Sequence, residues 1–190
     1  MTGAITLTTD TIDIASSISI AGQGNLNIQP KNTTTPIGLA GGSGTLNLTT
    51  AELDAITNGF SAITIGRADG TDALTFGSGG TGYTFADKIA LQSGGTGGTI
   101  TINGTLGTSV ANDGIYVLAG GNVNLVDNAI SSSGGVTVIG DNIVDSTVGN
   151  TAANITAPTG DFVFLGSLTG SIGTAIESID VAGLGNLIVD

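Results

Sequence analysis

Two groups of acidic side chains are the first candidates for chemistry in this 190-residue sequence. Asp69 and Asp72 lie close together beside Arg67, and Asp141 lies near Asp145. A polysaccharide hydrolase needs two carboxyl groups about 5 to 10 Å apart across a sugar, one of them acting as the acid. The chain has no Trp and only 2 Tyr as stacking platforms. We interpret these aspartates as solvated turn residues, with Arg67 in a surface pair with Asp69 or Asp72, and keep a carbohydrate-active enzyme as the alternative.

Two glycine-rich segments resemble the start of the nonapeptide that binds Ca²⁺ in parallel β-rolls. They are Gly41-Gly42-Ser43-Gly44 and Gly79-Gly80-Thr81-Gly82. That repeat places an Asp two residues after the third Gly, where this chain has Leu46 and Thr84. The pattern therefore predicts structural corners, with no metal and no cofactor.

Composition removes several further classes of function. The chain has no Cys and no His, so it lacks thiol nucleophiles, disulfides and the usual zinc ligands. Its 15 acidic and 3 basic residues give a net charge of -12, which repels nucleic acid and anionic lipid. The longest apolar run, Ile115 to Ala119, is far shorter than the roughly 20 residues of a membrane span. We expect no nucleic-acid partner and no membrane insertion, and the absence of Cys is compatible with export.

The elements that must position any site are short strands. An apolar-x-apolar triplet recurs along the whole chain, and this period of two predicts strands with inward flanks and an outward middle residue. Its members are Ile5–Leu7, Ile12–Ile14, Ile18–Ile20, Leu26–Ile28, Leu46–Leu48, Ile63–Ile65, Leu74–Phe76, Tyr83–Phe85, Ile89–Leu91, Ile100–Ile102, Val123–Leu125, Val136–Val138 and Ile179–Val181.

Strands this short suit a β-solenoid, which turns after each triplet. Three pairs lie 20 residues apart (Leu26 and Leu46, Ile63 and Tyr83, Val123 and Ile143), and two lie 21 apart (Ile5 and Leu26, Ile115 and Val136). This spacing predicts one domain over residues 1–190, with about nine coils of roughly 20 residues. The register is irregular between residues 48 and 63 and between 143 and 176. Glycine pairs are the expected corners: Gly41-Gly42, Gly79-Gly80, Gly94-Gly95, Gly97-Gly98, Gly120-Gly121 and Gly134-Gly135.

One interruption carries a helix signal. Thr49 and Glu52 have the spacing of a capping box, and Asn58-Gly59 is a stop signal. We predict a short helical excursion near residues 50–57, with Leu53 and Ile56 facing the rod.

The outward residues give a third functional alternative, an ice-binding solenoid. Thr6, Thr64, Thr75, Thr84, Thr101 and Thr137 should face solvent, but their unequal spacing predicts that they lie on different faces. Asn27, Asn47 and Asn124 could form side-chain ladders between coils. We interpret Phe60, Tyr116, Phe162 and Phe164 as core or end-packing residues, and we assign no catalytic, binding or metal site.

Two segments resemble large bacterial exoproteins of the filamentous-haemagglutinin type. Residues 49–77 read TTAELDAITNGFSAITIGRADGTDALTFG, with a short AEL turn followed by ITIG and another strand. Residues 119–144 read AGGNVNLVDNAISSSGGVTVIGDNIV and alternate Gly-Gly-Asn-Val corners with strands. The resemblance implies a right-handed parallel β-helix, secreted through an outer-membrane partner and used in adhesion, biofilm formation or cell contact. No Asn-Pro-Asn-Gly type motif occurs, so the transporter should recognise a different segment.

The combined expectation is a non-enzymatic rod segment of a large secreted or cell-surface adhesin-like protein of a Gram-negative-type bacterium. Its expected partners are neighbouring repeats of the same parent protein, a second copy bound end to end, and a host-cell or matrix surface. The sequence shows no capping repeat at either end, and Val163 and Ile188 are apolar at positions expected to face outward. Final residues that fold back as a cap are the alternative.

Overall fold

The computed structural model describes residues 3–15, 17–147, 152–158, 161–168, 172, 179–183 and 186–190. These residues form a parallel β-solenoid of about 7 turns with almost no helix, which confirms the fold class. In chain order the elements are β1 (Ile5–Thr8), β2 (Asn25–Gln29), β3 (Ile37–Leu39), β4 (Leu46–Leu48), α1 (Thr50–Leu53), β5 (Ala62–Arg67), β6 (Ala73–Phe85), β7 (Ile89–Thr96), β8 (Thr99–Thr108), β9 (Ile115–Gly120), β10 (Asn122–Leu125), β11 (Ile130–Ser131), β12 (Val136–Gly140), β13 (Asn142–Asp145), β14 (Ile155–Thr156), β15 (Phe162–Ser167), β16 (Val181–Ala182) and β17 (Asn186–Val189).

Two parallel sheets enclose one apolar core. Sheet A stacks eight strands in the order β1-β2-β5-β7-β9-β12-β15-β17. Sheet B runs β16-β14-β11-β8-β6-β3-β4, and β10 and β13 extend it from β8. One inward column of sheet A has a branched aliphatic residue in every rung: Ile5, Leu26, Ile63, Ile89, Ile115, Val136, Val163 and Leu187.

The coil length differs from the expected 20 residues. Successive partners in that column are 21, 37, 26, 26, 21, 27 and 24 residues apart, so the chain makes about 7 turns and not nine. The predicted pairs of Ile5 with Leu26, Ile115 with Val136, and Val123 with Ile143 are confirmed. The other two are wrong, because Leu26 and Leu46 lie in different sheets, as do Ile63 and Tyr83. Similar spacing there separates the two faces of the coil.

The 37-residue interval contains a return of the chain towards its N-terminal end. After β3 the chain places β4 beside β3, on the side away from β6, and then forms α1. The capping box of Thr49 and Glu52 is present, and Leu53 and Ile56 are buried as predicted. The regular helix ends at Leu53, earlier than expected, and Ile56 forms a bridge with Ile20. The expectation of an uncapped N-terminal end is therefore wrong for sheet B, where β4 and α1 cover the core.

Two expected strands near the N-terminus do not form. The triplets Ile12–Ile14 and Ile18–Ile20 lie outside the ladders, apart from the single bridge of Ile20. The position next to β3 that they could have filled is taken by β4. Near the C-terminal end, Ile179–Val181 contributes only Val181, which opens β16.

The glycine pairs serve two different purposes. Positive φ angles occur in three of the six expected corner pairs, at Gly41, Gly79, Gly80 and Gly97. The pairs 94–95, 120–121 and 134–135 do not have positive φ. At Gly120 a Cβ atom would overlap the carbonyl of Gly95 on the previous rung. Glycine is needed there because the backbones of adjacent rungs approach closely.

Candidate functional site

The first acidic group is a surface ion pair. Arg67 donates from Nε and Nη2 to the two carboxylate oxygens of Asp69, each at 2.8 Å. This hydrogen bonding lowers the pKa of Asp69 and raises that of Arg67. Asp72 instead accepts from the backbone N–H of Ala73. The expected surface pair is thus with Asp69, and these contacts do not link Asp69 to Asp72.

The second acidic group is not a pair of solvated turn residues. Asp145 is only 5% exposed, because β13 directs it inward opposite Leu125. Its Oδ1 accepts from Thr147 N at 2.8 Å, and its Oδ2 has no hydrogen-bond partner among the described residues. Asp141 lies outside β13, and its carbonyl accepts from Ser167 Oγ. The sequence interpretation of Asp145 is therefore wrong, since strand parity places it inside.

The glycine-rich segments contain no carboxylate at the positions tested for Ca²⁺. Leu46 is fully buried in β4, and Thr84 is an exposed residue of β6. Across the part of the chain that the structure describes, no group of three or more carboxylate, Cys or His side chains could hold a metal ion.

The outward threonines lie in three separate rows, as their unequal spacing predicted. Thr6, Thr64 and Thr137 share one row of sheet A, Thr75 and Thr101 share a row of sheet B, and Thr84 lies in the second half of β6. The sheet A row is mixed and reads Thr6, Asn27, Thr64, Ala90, Tyr116, Thr137, Phe164 and Ile188. It changes from polar to largely apolar along the rod.

Side-chain amides connect neighbouring rungs, although with partners other than those expected. Asn27 donates to Thr6, and Asn124 donates to Thr101. Asn47 donates within its own loop to the carbonyl of Gly42. The Asn–Asn contact between rungs is formed by Asn142 and Asn122 at 2.8 Å. These bonds lie between stacked positions and stabilise the stack.

Buried carboxylates that sequence reasoning missed fix two corners. Asp87 is 4% exposed and accepts from the backbone N–H groups of Gly59 and Phe60. Asp10 accepts from Asn32 and Thr35, and the backbone N–H of Asn32 is the main reason why its pKa is lowered. Aspartates are common in turns, so nothing local distinguishes these two. Both have structural partners and are not free for chemistry.

The aromatic residues separate into two kinds. Phe60 is buried in the core, as expected. Tyr116 and Phe164 lie in the outward row of sheet A, and Phe162 is 48% exposed. Val163, which was expected to face outward, is fully buried between the two phenylalanines. The core or end-packing interpretation is therefore wrong for the two outward rings nearest the cavity described next, Tyr116 and Phe162.

A surface trench of about 390 Å³ lies beside these two rings. We call it the aromatic trench, and it is lined by Ala62, Lys88, Ile89, Ala90, Asn112, Gly114, Ile115, Tyr116, Gly135 and Phe162. Five of these residues directly precede the inward column on successive rungs, so the trench runs across the rungs. Neither Gly114 nor Gly135 has a side chain, which leaves the floor open between Lys88 and Phe162.

A second, more polar cavity of about 570 Å³ adjoins the aromatic trench. It is lined by Ser109, Ala111, Asn112, Ser132, Ser133, Pro158 and Asp161. Asn112 lines both cavities and has a left-handed backbone with a φ of 69°. The two cavities therefore meet at this exposed amide.

Comparison with protein-family models, with curated proteins and with solved structures gives no match. Within the described ranges, no helix has the length and apolar character needed to cross a membrane.

Proposed function

We propose that this chain is a non-enzymatic rod segment of a large secreted or cell-surface adhesin-like protein. The observation that supports this most is the stack itself. Inward aliphatic residues continue through all eight strands of sheet A in one uninterrupted ladder, with one core between the sheets. A structure of this kind holds its two ends at a fixed separation, which is what a stalk must do. The resemblance to filamentous-haemagglutinin-type exoproteins supports the same role in a Gram-negative-type bacterium.

The physical reason is cooperative stacking. Each rung buries its apolar residues only against its neighbours, so the stability of the rod grows with the number of rungs. Amide and hydroxyl side chains add bonds between rungs, as from Asn27 to Thr6 and from Gln29 to Thr8. Neighbouring repeats of a longer parent protein would continue this ladder, and a host-cell or matrix surface would be met beyond it.

The test measures shape, resistance to force and catalysis on the same purified chain. X-ray scattering should give an elongated particle, since seven rung intervals at about 4.8 Å span roughly 34 Å. Single-molecule pulling through the two ends should show one cooperative unfolding event. Incubation with neutral and acidic polysaccharides should release no reducing ends and no unsaturated products. Cleavage products would overturn the non-enzymatic part of the proposal, and a compact particle that unfolds gradually would overturn the rod.

A further inference from the structure

We infer that the aromatic trench is a binding site for a neutral oligosaccharide chain. This site lies on the side of the rod, and it can be present or absent whatever parent protein the rod belongs to.

The two rings flank an open floor at two of its rungs. Phe162 packs over the floor, because a Cβ atom at Gly135 would lie 3.0 Å from Cε1 of the ring. Tyr116 lies two positions after Gly114, on the outward row next to the small side chain of Ala90. An aromatic ring offers a flat apolar face, and the C–H face of a sugar ring is its complement.

Polar groups with spare hydrogen-bonding capacity surround the same floor. The side chains of Lys88 and Asn112 are exposed and make no hydrogen bond among the described residues. Beyond Asn112 the adjoining cavity offers the hydroxyl groups of Ser109 and Ser133. Sugar hydroxyl groups donate and accept hydrogen bonds, so amide, ammonium and hydroxyl groups can all satisfy them.

The shape of the trench favours a linear ligand. Its floor crosses four rung intervals between Ala62 and Phe162, which is roughly 19 Å at about 4.8 Å per rung. An extended peptide is a poorer occupant, because it would bind by pairing with free backbone groups. Here the floor backbone is already paired between rungs: Ile63 N donates to Lys88 O, Ile89 N to Gly114 O, and Ile115 N to Gly135 O.

Charge selects against acidic polymers. The chain has a net charge of -12, and Lys88 is the one basic residue that lines either cavity. Asp161 at the far end of the adjoining cavity offsets even that charge. Nucleic acids and polyuronic acids would meet repulsion from the surrounding surface, whereas a neutral glycan would not.

The test is calorimetric titration with neutral gluco-, xylo- and manno-oligosaccharides of increasing length, beside a galacturonic acid series of the same lengths. We expect at least one neutral series to bind, with affinity rising with length. Phe162→Ala and Tyr116→Ala should each weaken binding by about tenfold. Phe164→Ala is the matched control, since Phe164 is an outward ring of the same strand that does not line the trench; it should change affinity less than about twofold.

A blocking variant keeps the result interpretable if a ring substitution disturbs folding. Ala90→Gln fills the trench from the outward row and should abolish binding, whereas Thr64→Gln, one rung away on the same row, should not. No binding of any neutral series at millimolar concentration would overturn the inference. Binding that survives both Ala90→Gln and Phe162→Ala would overturn it as well. Scattering on the same samples reports on the rod independently, so the failure of one proposal is distinguishable from that of the other.

Discussion

The Oε1 atom of Glu52 accepts a hydrogen bond of 3.0 Å from the backbone N–H of Ile14, 38 residues earlier in the chain. The other oxygen, Oε2, accepts from the N–H and the hydroxyl group of Thr49, each at 2.8 Å. One carboxylate therefore closes the capping box of α1 and also anchors the segment that precedes β2. This contact joins the returning part of the chain to the first rung.

Replacing Glu52 should reveal a pH-dependent contribution to stability. Burial raises the pKa of Glu52, but the hydrogen bonds from Thr49 and Ile14 outweigh it, so the pKa lies below its ordinary value of 4.5. A carboxyl group with a lowered folded pKa stabilises the protein above its unfolded pKa, and this stabilisation disappears as the pH falls through the folded value. Glu52→Gln should cost about 1 kcal/mol at pH 7 and almost nothing at about pH 3.

Chemical denaturation at the two pH values measures this difference. Asp13→Asn is the control, because Asp13 is an exposed carboxylate near Ile14 without a hydrogen bond among the described residues. An equal loss for Glu52→Gln at both pH values would show that the charge on Glu52 is not what stabilises the contact.

Asp87 should be the most sensitive carboxylate in a turn. Its two oxygens accept the N–H groups of Gly59 and Phe60, and Phe60 is itself part of the core. Asp87→Ala leaves two backbone donors without their acceptor and should cost about 2 to 3 kcal/mol. Asp87→Asn keeps one acceptor oxygen and should cost less. Lys88→Ala, at the exposed neighbouring position, should leave the denaturation midpoint almost unchanged, and an equal effect of all three would refute this role.

Strand parity should decide the cost of a charge in sheet A. Ile65 is fully buried, whereas Thr64 beside it faces outward. Ile65→Asp places an unpaired carboxylate in the apolar interior and should cost more than about 4 kcal/mol, enough to prevent folding. Thr64→Asp should cost less than about 1 kcal/mol. Thermal unfolding followed by circular dichroism compares them, and similar midpoints would contradict the inward column.

Local patterns were enough to predict the helix and most strands. The capping box acts within four residues, and each apolar triplet reports its own parity. Register was harder, because a spacing of about 20 residues fits both a full coil and a step from one sheet to the other. The pairing of Leu26 with Ile63 could not be seen, since β4 and α1 lie between them and return to the first rung.

The aromatic trench could not have been predicted from the sequence either. Its ends, at Ala62 and Phe162, are 100 positions apart in the numbering and meet only through the stacking of five rungs. The phenylalanine pair was misjudged because Val163 was assigned the outward parity. Once Val163 is known to face inward, Phe162 and Phe164 must face outward.

Two glycines should respond to Ala in different degrees. At Gly120 a new Cβ atom would overlap the carbonyl of Gly95, so adjacent rungs would have to separate. At Gly79 a Cβ atom meets nothing within 4 Å, and the only cost is the positive φ of 58°. Gly79→Ala should therefore cost about 1 kcal/mol, and Gly120→Ala clearly more. Urea denaturation of the two variants provides the comparison, and a larger loss for Gly79→Ala would exclude close backbone approach as the reason for Gly120.

Association through β17 is the last expectation. β17 pairs with β15 on one side and ends the order of sheet A, so within the described strands its other edge has no partner. Leu187, Ile188 and Val189 are 48%, 48% and 58% exposed. Residues 186–190 extend the ladder and do not fold back over it, and Ile188 is apolar on the outward row, as expected. An unpaired apolar edge favours pairing with a further strand.

We therefore expect this chain to self-associate end to end when no neighbouring repeat covers β17. Sedimentation velocity over about a hundredfold range of concentration should show a rising average mass. The double change Leu187→Asp and Val189→Asp should restore the monomer and reduce the binding of a hydrophobic dye. Leu168→Asp is the matched control, because Leu168 is 53% exposed but lies outside the strand edge. A monomer at every concentration, without dye binding, would mean that the edge is already covered, and end-to-end association would have to be abandoned.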